Sequence, residues 1–304
     1  WIGDLFALSA AVCWAVGSLL FSRVRVSAAG INLFKNVLSG LLLLVLVLVM
    51  EGSEAPLLLD LEAWGWLGLS SLAGLVIGDT CHFRSLQILG ARRCVVLETL
   101  APPLAGLCGW FFLAEVPSAW VWIGMAITLS GVVMVILERT SGAEAPGHFP
   151  GSTALGVLMG VSAALCQALG AAWSKKGIQR FEGLDVSEHL CALDASCVRL
   201  LVAVMLGIVL GLYRGRLRGW TAQVRTPGTM RVLIPASITG TFLGVSLSML
   251  AFQYTSLAEA NTLGSTSPIF VLPLVIWFLK QRVSLVAFLG AVLAVVGVAI
   301  LFWR

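Results

Sequence analysis

The sequence predicts an all-α, polytopic membrane protein with ten transmembrane helices in two inverted five-helix repeats. Three observations lead there: the composition, the spacing of the apolar runs, and an internal similarity at one fixed offset. Of 304 residues, 59% are hydrophobic and only 11% are Asp, Glu, Lys or Arg, with a mean hydropathy of +0.99. A soluble globular chain carries about 25% charged residues, so this chain is short of charge by more than half and cannot cover a water-facing surface. A soluble enzyme, a disulfide scaffold, a nucleic-acid binder and a disordered protein are excluded on that ground.

The apolar runs follow in order, each about 20 residues long, the length that crosses a bilayer. The first, 3 to 21, contains Ser9-Ala-Ala-Val-Cys-Trp-Ala-Val-Gly17, and the second, 30 to 50, opens on Asn32, Lys35 and Asn36 before a leucine-rich stretch. The third, 64 to 86, holds Gly78-Asp-Thr-Cys-His-Phe-Arg84; the fourth, 92 to 114, holds Glu98 and Pro102; the fifth, 119 to 138, holds Gly124 and Gly131. A Pro/Gly-rich polar connector, 141 to 151, divides the chain, so residues 1–140 and 153–304 are expected as two repeats joined by a linker at 141–152. The later runs are 153 to 175, 193 to 213, 231 to 254, 259 to 279 and 284 to 303. No basic leader precedes the first run, which is expected to direct insertion itself.

Gly78, Gln87, Pro102, Gly124 and Gly131 recur as Gly244, Gln253, Pro268, Gly290 and Gly297 at an offset of 166 without a gap. Ser9 to Gly17 is echoed by Ser162-Ala-Ala-Leu-Cys-Gln-Ala-Leu-Gly170. Matched glycines, prolines and a cysteine in register indicate duplication. With five spans per copy, an odd number, the second copy must enter the bilayer from the opposite side. Inverted repeats are characteristic of secondary transporters, whose site lies near the midplane between the halves.

The stretches Gln87-Ile-Leu-Gly-Ala-Arg-Arg through Glu98-Thr-Leu-Ala-Pro102 to Phe112-Leu-Ala-Glu115, and Ala251-Phe-Gln-Tyr-Thr-Ser-Leu-Ala through Ser265-Thr-Ser-Pro268 to Leu279-Lys-Gln281, resemble the drug/metabolite transporter superfamily in its ten-helix EamA-like branch. The resemblance spans residues 3 to 138 and 153 to 303. It implies a substrate cavity lined by the first four helices of each half, peripheral fifth and tenth helices, and carrier transport without ATP hydrolysis. Two positions depart from the family pattern: Ala101 stands where Glu often precedes the fourth-helix proline, and the second-half turn reads Lys280-Gln281, so family statements about coupling at those positions do not carry over. Relatives handle amino acids, drugs, sugars, nucleotide conjugates and lipids, which leaves the substrate open.

Charge placement bears on orientation. With the N-terminus outside, about 14 of the 19 Lys and Arg fall on the inner side, including Arg23, Arg25, Arg214, Arg216, Arg218, Arg225 and Lys280, as the positive-inside rule favours. The resemblance implies the reverse, both termini in the cytoplasm. Trp64, Trp66, Trp120, Trp122, Trp220 and Trp303 fall near span ends and suit an aromatic belt. Cys191 and Cys197 are the one cysteine pair near a loop where a disulfide is conceivable; the other cysteines read as small buried hydrophobes.

An ionisable group inside a bilayer costs on the order of 3 kcal/mol or more, so a deep one is a functional candidate. Asp79 and His82, spaced i, i+3, share a helix face and can share a proton, or His82 can satisfy Asp79 as a structural pair. Glu98 shares a face with Pro102, which frees the carbonyl of residue 98 itself. The counterparts of Asp79, His82 and Glu98 are Val245, Ser248 and Gly264, so the acids sit in one half only. The other half offers Asn261 and Ser265, either as a neutral hydrogen-bonding wall or as links between helices. Lys35 and Arg199 hold similar places in the two repeats; they can grip a carboxylate or phosphate, or snorkel to headgroups from near their span starts. Trp14 can offer a ring face to substrate or simply pack, and its counterpart Gln167 is a cavity candidate.

No metal ligand set, nucleotide loop or catalytic constellation is visible, and no cofactor and no enzymatic activity are expected. The expected function is a proton-coupled or exchange carrier of small polar or amphipathic metabolites, amino-acid-like compounds favoured, in a plasma or bacterial inner membrane. The alternatives are a carrier or flippase of anionic, nucleotide- or lipid-linked conjugates using Lys35 and Arg199, and a membrane enzyme or sensor. The expected partners are a small-molecule substrate, membrane lipids and protons, with a homodimer possible and no nucleic acid.

Overall fold

The computed structural model describes residues 1–51, 61–104, 107, 118–137, 151–179, 188–254, 263–280 and 283–301. Among them every regular element is helical. Helix α1 is Ile2–Phe21 and α2 is Ala28–Glu51. Helix α3, Leu61–Leu89, is wound as a wider π-helix over Ser71–Gly78. A turn at Gly90, whose φ of 81° suits glycine, leads to α4, Ala91–Glu98. Helices α5 (Ala119–Leu137), α6 (Thr153–Gln179) and α7 (Glu188–Tyr213) follow. Then come the short α8 (Leu217–Val224) and α9, built of Thr229–Ser237, a π-helical piece Ile238–Leu243 and Gly244–Tyr254. Helices α10 (Ser267–Leu279) and α11 (Leu285–Leu301) close the described chain.

Among the described residues, seven helices are long and apolar enough to cross a membrane, and two shorter apolar ones, Ser267–Phe278 and Leu285–Ile300, stand where the ninth and tenth runs were expected. Leucines, valines and phenylalanines remain exposed along their outer faces, among them Val45, Leu129, Val209 and Phe288. Such faces need lipid around them. The chain is an integral, multi-pass membrane protein. In the fourth run, α4 ends at Glu98 and the chain turns through Thr99 and Leu100 before a helical turn at 101–104, as the missing amide of Pro102 requires. Most of that run after 104 lies outside the described residues.

Two expectations about loops are corrected. The segment after Tyr213 carries an amphipathic helix, α8, because Trp220 and Val224, one turn apart, both bury themselves in the core with Val26 and Ile31. Trp220 therefore packs between Gly30 and Gly211 instead of anchoring at the lipid interface. Cys197 is a free thiol. It and Cys191 lie six residues apart on α7, about 9 Å along one helix, a separation no disulfide spans.

Small residues set the closest helix crossings. Gly131 of α5 lies against Gly290 and Ala294 of α11, and Gly297 against Gly124 and Thr128. A Cβ at Gly290 would stand 2.9 Å from the carbonyl oxygen of Gly131. Thr128 Oγ1 donates to the carbonyl of Gly124 in its own helix at 2.9 Å and lies 3.4 Å from the Ala294 carbonyl across the seam. The same pattern recurs elsewhere: Gly17 of α1 meets Gly240 of α9, and Gly170 of α6 meets Gly74 of α3, with only backbone between them.

One end of the molecule gathers basic residues. Arg23 Nη2 donates to the Phe278 carbonyl at 2.6 Å, Gln87 Nε2 to the Val26 carbonyl at 2.6 Å, and the Ser27 amide to Gln223 Oε1 at 3.0 Å. The segment after α1 is thereby tied to the ends of α3 and α10 and to α8. Exposed Arg23, Arg25, Arg218, Arg225 and Lys280 share that end.

The seam between α5 and α11 has a direct test. Gly131→Leu should cost about 1 to 3 kcal/mol through overpacking, read as a lower Tm of the detergent-purified protein, whereas Gly68→Ala, with nothing within 4 Å of its Cβ position, should leave the Tm unchanged. Equal tolerance of both would mean that the seam is not as tight as described.

Candidate functional site

The polar side chains of α2, α3 and α6 converge within the apolar body. Lys35 lies seven residues into α2, about 10 Å from its first residue, and is only 4% exposed. Its Nζ donates to Asp79 Oδ2 at 2.6 Å and to Asn36 Oδ1 at 3.0 Å. Lys35 therefore does not snorkel: Asp79, itself 8% exposed, supplies the counter-charge that makes deep burial tolerable. The second carboxylate oxygen, Asp79 Oδ1, accepts from Gln167 Nε2 of α6 at 2.9 Å.

Neighbouring amides hold this pair in place. Asn36 Nδ2 donates to Asn32 Oδ1 at 3.1 Å, and Asn32 Nδ2 reaches the carbonyls of Leu75 and Val76 and Thr80 Oγ1, at 2.7, 3.2 and 3.0 Å. Those carbonyls belong to the π-helical piece of α3, whose wider winding leaves backbone oxygens free for a side chain. Thr80 and the π-helix carry no signal in composition or spacing; only the pair of asparagines around Lys35 does.

His82 takes a different partner from Asp79. Its Nδ1 stands 2.9 Å from Glu98 Oε1, and Cys94 Sγ lies 3.5 Å from the same nitrogen. The i, i+3 spacing of Asp79 and His82 is real, but each side chain points to another helix, Asp79 to α2 and α6 and His82 to α4. The Glu98 side chain is 40% exposed against 11% for His82, so the carboxylate is the accessible member of this pair.

Of the remaining candidates, Trp14 of α1 packs its indole against Gly244 of α9 and Gly264. Trp14 and Gln167 are counterparts, and each meets the opposite half differently: the amide of Gln167 on a carboxylate, the indole of Trp14 on glycines. Arg199 of α7 points its Nη2 toward Gly74 of α3, beside Gln167 Oε1, and Asp79 is the charge that acts on it. Ser265 sits in the turn before α10, and Asn261 lies outside the described residues. No group of three or more His, Cys, Asp or Glu among the described residues is arranged to hold a metal ion. An open, apolar groove of about 600 Å³, lined by Glu62, Trp64, Trp66, Leu69, Val202 and Leu206, runs along the outer face of α3 and α7 and contains none of the clustered residues.

Comparison with known proteins places these features in a family. The EamA-like transporter family model matches residues 1–137 and again 154–303. The chain belongs to the EamA-like transporter family, and with it to the drug/metabolite transporter superfamily; it is a membrane transporter. It is similar to the permease-like protein YdzE of Bacillus subtilis (strain 168), 32% identical over 68 residues, which is 21% of this chain and 87% of that protein. A crystal structure with 16% identity matches 98% of this chain and 95% of its own with a TM-score of 0.64, a likeness of fold.

The ion pair invites a double-mutant cycle. Lys35→Met or Asp79→Asn alone breaks the pair, and Lys35→Met should cost on the order of 3 to 5 kcal/mol because it leaves a buried carboxylate unpaired. The combined variant should recover much of that loss in thermal unfolding of the purified protein. Strictly additive losses would show that the two groups act independently.

Proposed function

We propose that the protein is a secondary active, alternating-access carrier of small polar or amphipathic metabolites, amino-acid-like compounds favoured, coupled to protons or to exchange. Its ten spans form two inverted five-helix halves, residues 1–140 and 153–304, joined by 141–152. The observation that carries this reading is the Lys35–Asp79–Gln167 chain, in which an ion pair of the first half is held by an amide of the second. A rocking of one half against the other must break or remake that amide contact.

The reciprocal glycine contacts support the inverted arrangement. Gly124 meets Gly297 while Gly131 meets Gly290, so ascending α5 means descending α11, and the two counterpart helices run antiparallel. Gly17 with Gly240 mirrors Gly170 with Gly74 in the same sense. Counterparts that run antiparallel are related by an axis perpendicular to the helices, in the membrane plane. The gathering of arginines at one end favours that end in the cytoplasm.

For coupling, at least one of Asp79, His82 and Glu98 exchanges protons during transport. Burial favours the neutral form of a carboxyl and a neighbouring cation favours the charged one, so a carboxyl exposed in turn to two aqueous sides loads and releases a proton. A neutral acid is also less costly to carry through an occluded state. Glu98 is the accessible member of its pair and Asp79 the buried member of the other.

In proteoliposomes loaded with labelled amino acids, wild-type protein should show counterflow and, with an imposed proton gradient, accumulation. Glu98→Gln should abolish gradient-driven accumulation and retain some exchange. Normal gradient-driven uptake in both Glu98→Gln and Asp79→Asn would remove proton coupling through these groups.

A further inference from the structure

Arg199 is the charge in the polar cluster that the cluster itself does not neutralise. It lies six residues beyond Leu193, where the apolar part of α7 begins, about 9 Å into that stretch. Its side chain turns inward, Nη2 facing Gly74 and Gln167 across the α3–α6 contact, so it does not run along the helix to a headgroup. Its Nε is buried without a hydrogen-bond partner.

The nearby carboxylate is already engaged. Asp79 gives Oδ2 to Lys35 and Oδ1 to Gln167, and that ion pair is neutral as a unit. Asp194, on α7 itself, precedes Arg199 by five residues and so points about 140° away round the helix; its charge acts on Cys197, while Asp79 acts on Arg199. Lys35, Asp79 and Arg199 together therefore carry one net positive charge within the helix body. An uncompensated charge there is costly, and one anion removes the cost.

The inward-turned guanidinium of Arg199 suits a small planar anion. Gly74 has no side chain, and its Cβ position is 3.5 Å from Arg199 Nη2 and 3.6 Å from Gln167 Oε1. A guanidinium fork matches a carboxylate in two parallel hydrogen bonds, and the adjacent Gln167 carbonyl accepts from a donor on the same molecule, such as an ammonium. A dianionic phosphate would need a second cation, and Lys35 is held by Asp79 and Asn36.

We infer that Arg199 anchors the carboxylate of a monoanionic or zwitterionic solute, with Gln167 oriented by Asp79 to receive its donor. This rests on the carrier reading above, and it names the chemical class that the site selects.

Binding tests it independently of transport. Acetate, benzoate and phenylalanine, each paired with its primary amide, are titrated against detergent-purified full-length protein, with the shift in Tm as readout. At least one carboxylate should stabilise the wild type more than its amide does. Arg199→Gln should weaken that carboxylate by about tenfold or more, the loss of one charge-assisted contact, and Arg199→Lys should retain part of it. A folded Arg199→Gln that still prefers the carboxylate as the wild type does would overturn the proposal. So would a wild type that prefers no carboxylate over its amide. If Arg199→Gln does not fold, Arg199→Lys, which keeps the charge and loses the guanidinium fork, should show a reduced carboxylate preference, and an undiminished one would count against the site. Carboxylate-selective binding without counterflow in liposomes would refute the carrier reading and leave the site standing, whereas counterflow with unaltered carboxylate preference in Arg199→Gln would do the reverse.

Discussion

A charge inside an apolar body must find its opposite there, and the arrangement of α2, α3 and α6 follows from that constraint. Lys35 alone would be forced toward headgroups and Asp79 alone toward its neutral form. Together, at 2.6 Å, they remain as a pair about 10 Å into the helix. The pair fixes the rotation of α2 against α3, and the asparagines that surround it reach carbonyls which only a π-helical winding leaves free. The remaining lone pairs of Asp79 then recruit Gln167 from the other half, so a costly buried charge also helps to join the halves.

The small residues make that joining possible. Without a hydrophobic force between helices in lipid, close packing and interhelical hydrogen bonds must hold them together. Gly17 against Gly240 and Gly74 against Gly170 bring backbones into contact on the two sides of the cluster, and the α5–α11 seam does the same at the periphery. The same glycines that appear as repeat markers are the positions at which the helices cross. The two π-helical pieces end within one residue of matching positions, at Gly78 before Asp79 and at Leu243 before Gly244, with the charged pair present in one half only.

Much of this was legible in the sequence, and the misses have physical causes. Apolar length and scarce charge identify membrane helices because lipid permits few alternatives. Lys35, Asp79, His82, Glu98, Gln167 and Arg199 stand out because each is costly where it lies. Their pairing was less legible: helical spacing names neighbours on one helix, so Asp79 and His82 were joined, while the actual partners come from α2, α6 and α4. Lys35 looked able to snorkel because its distance from the span start was measured from residue 30, whereas α2 begins at Ala28 and its lysine turns to Asp79. Trp220 looked like a belt residue because the eight-residue α8 that buries it is too short to register as an apolar run.

Coupling of the two halves during transport through the contact between Gln167 and Asp79 can be tested by removing that contact alone. Gln167→Leu removes that one hydrogen bond and leaves the Lys35–Asp79 pair intact. Counterflow of labelled amino acids in proteoliposomes should then fall by about tenfold, while the protein still folds with a Tm lowered by no more than corresponds to the ~1 to 3 kcal/mol of one unsatisfied acceptor. Unchanged counterflow rate and KM in a folded Gln167→Leu protein would contradict that coupling.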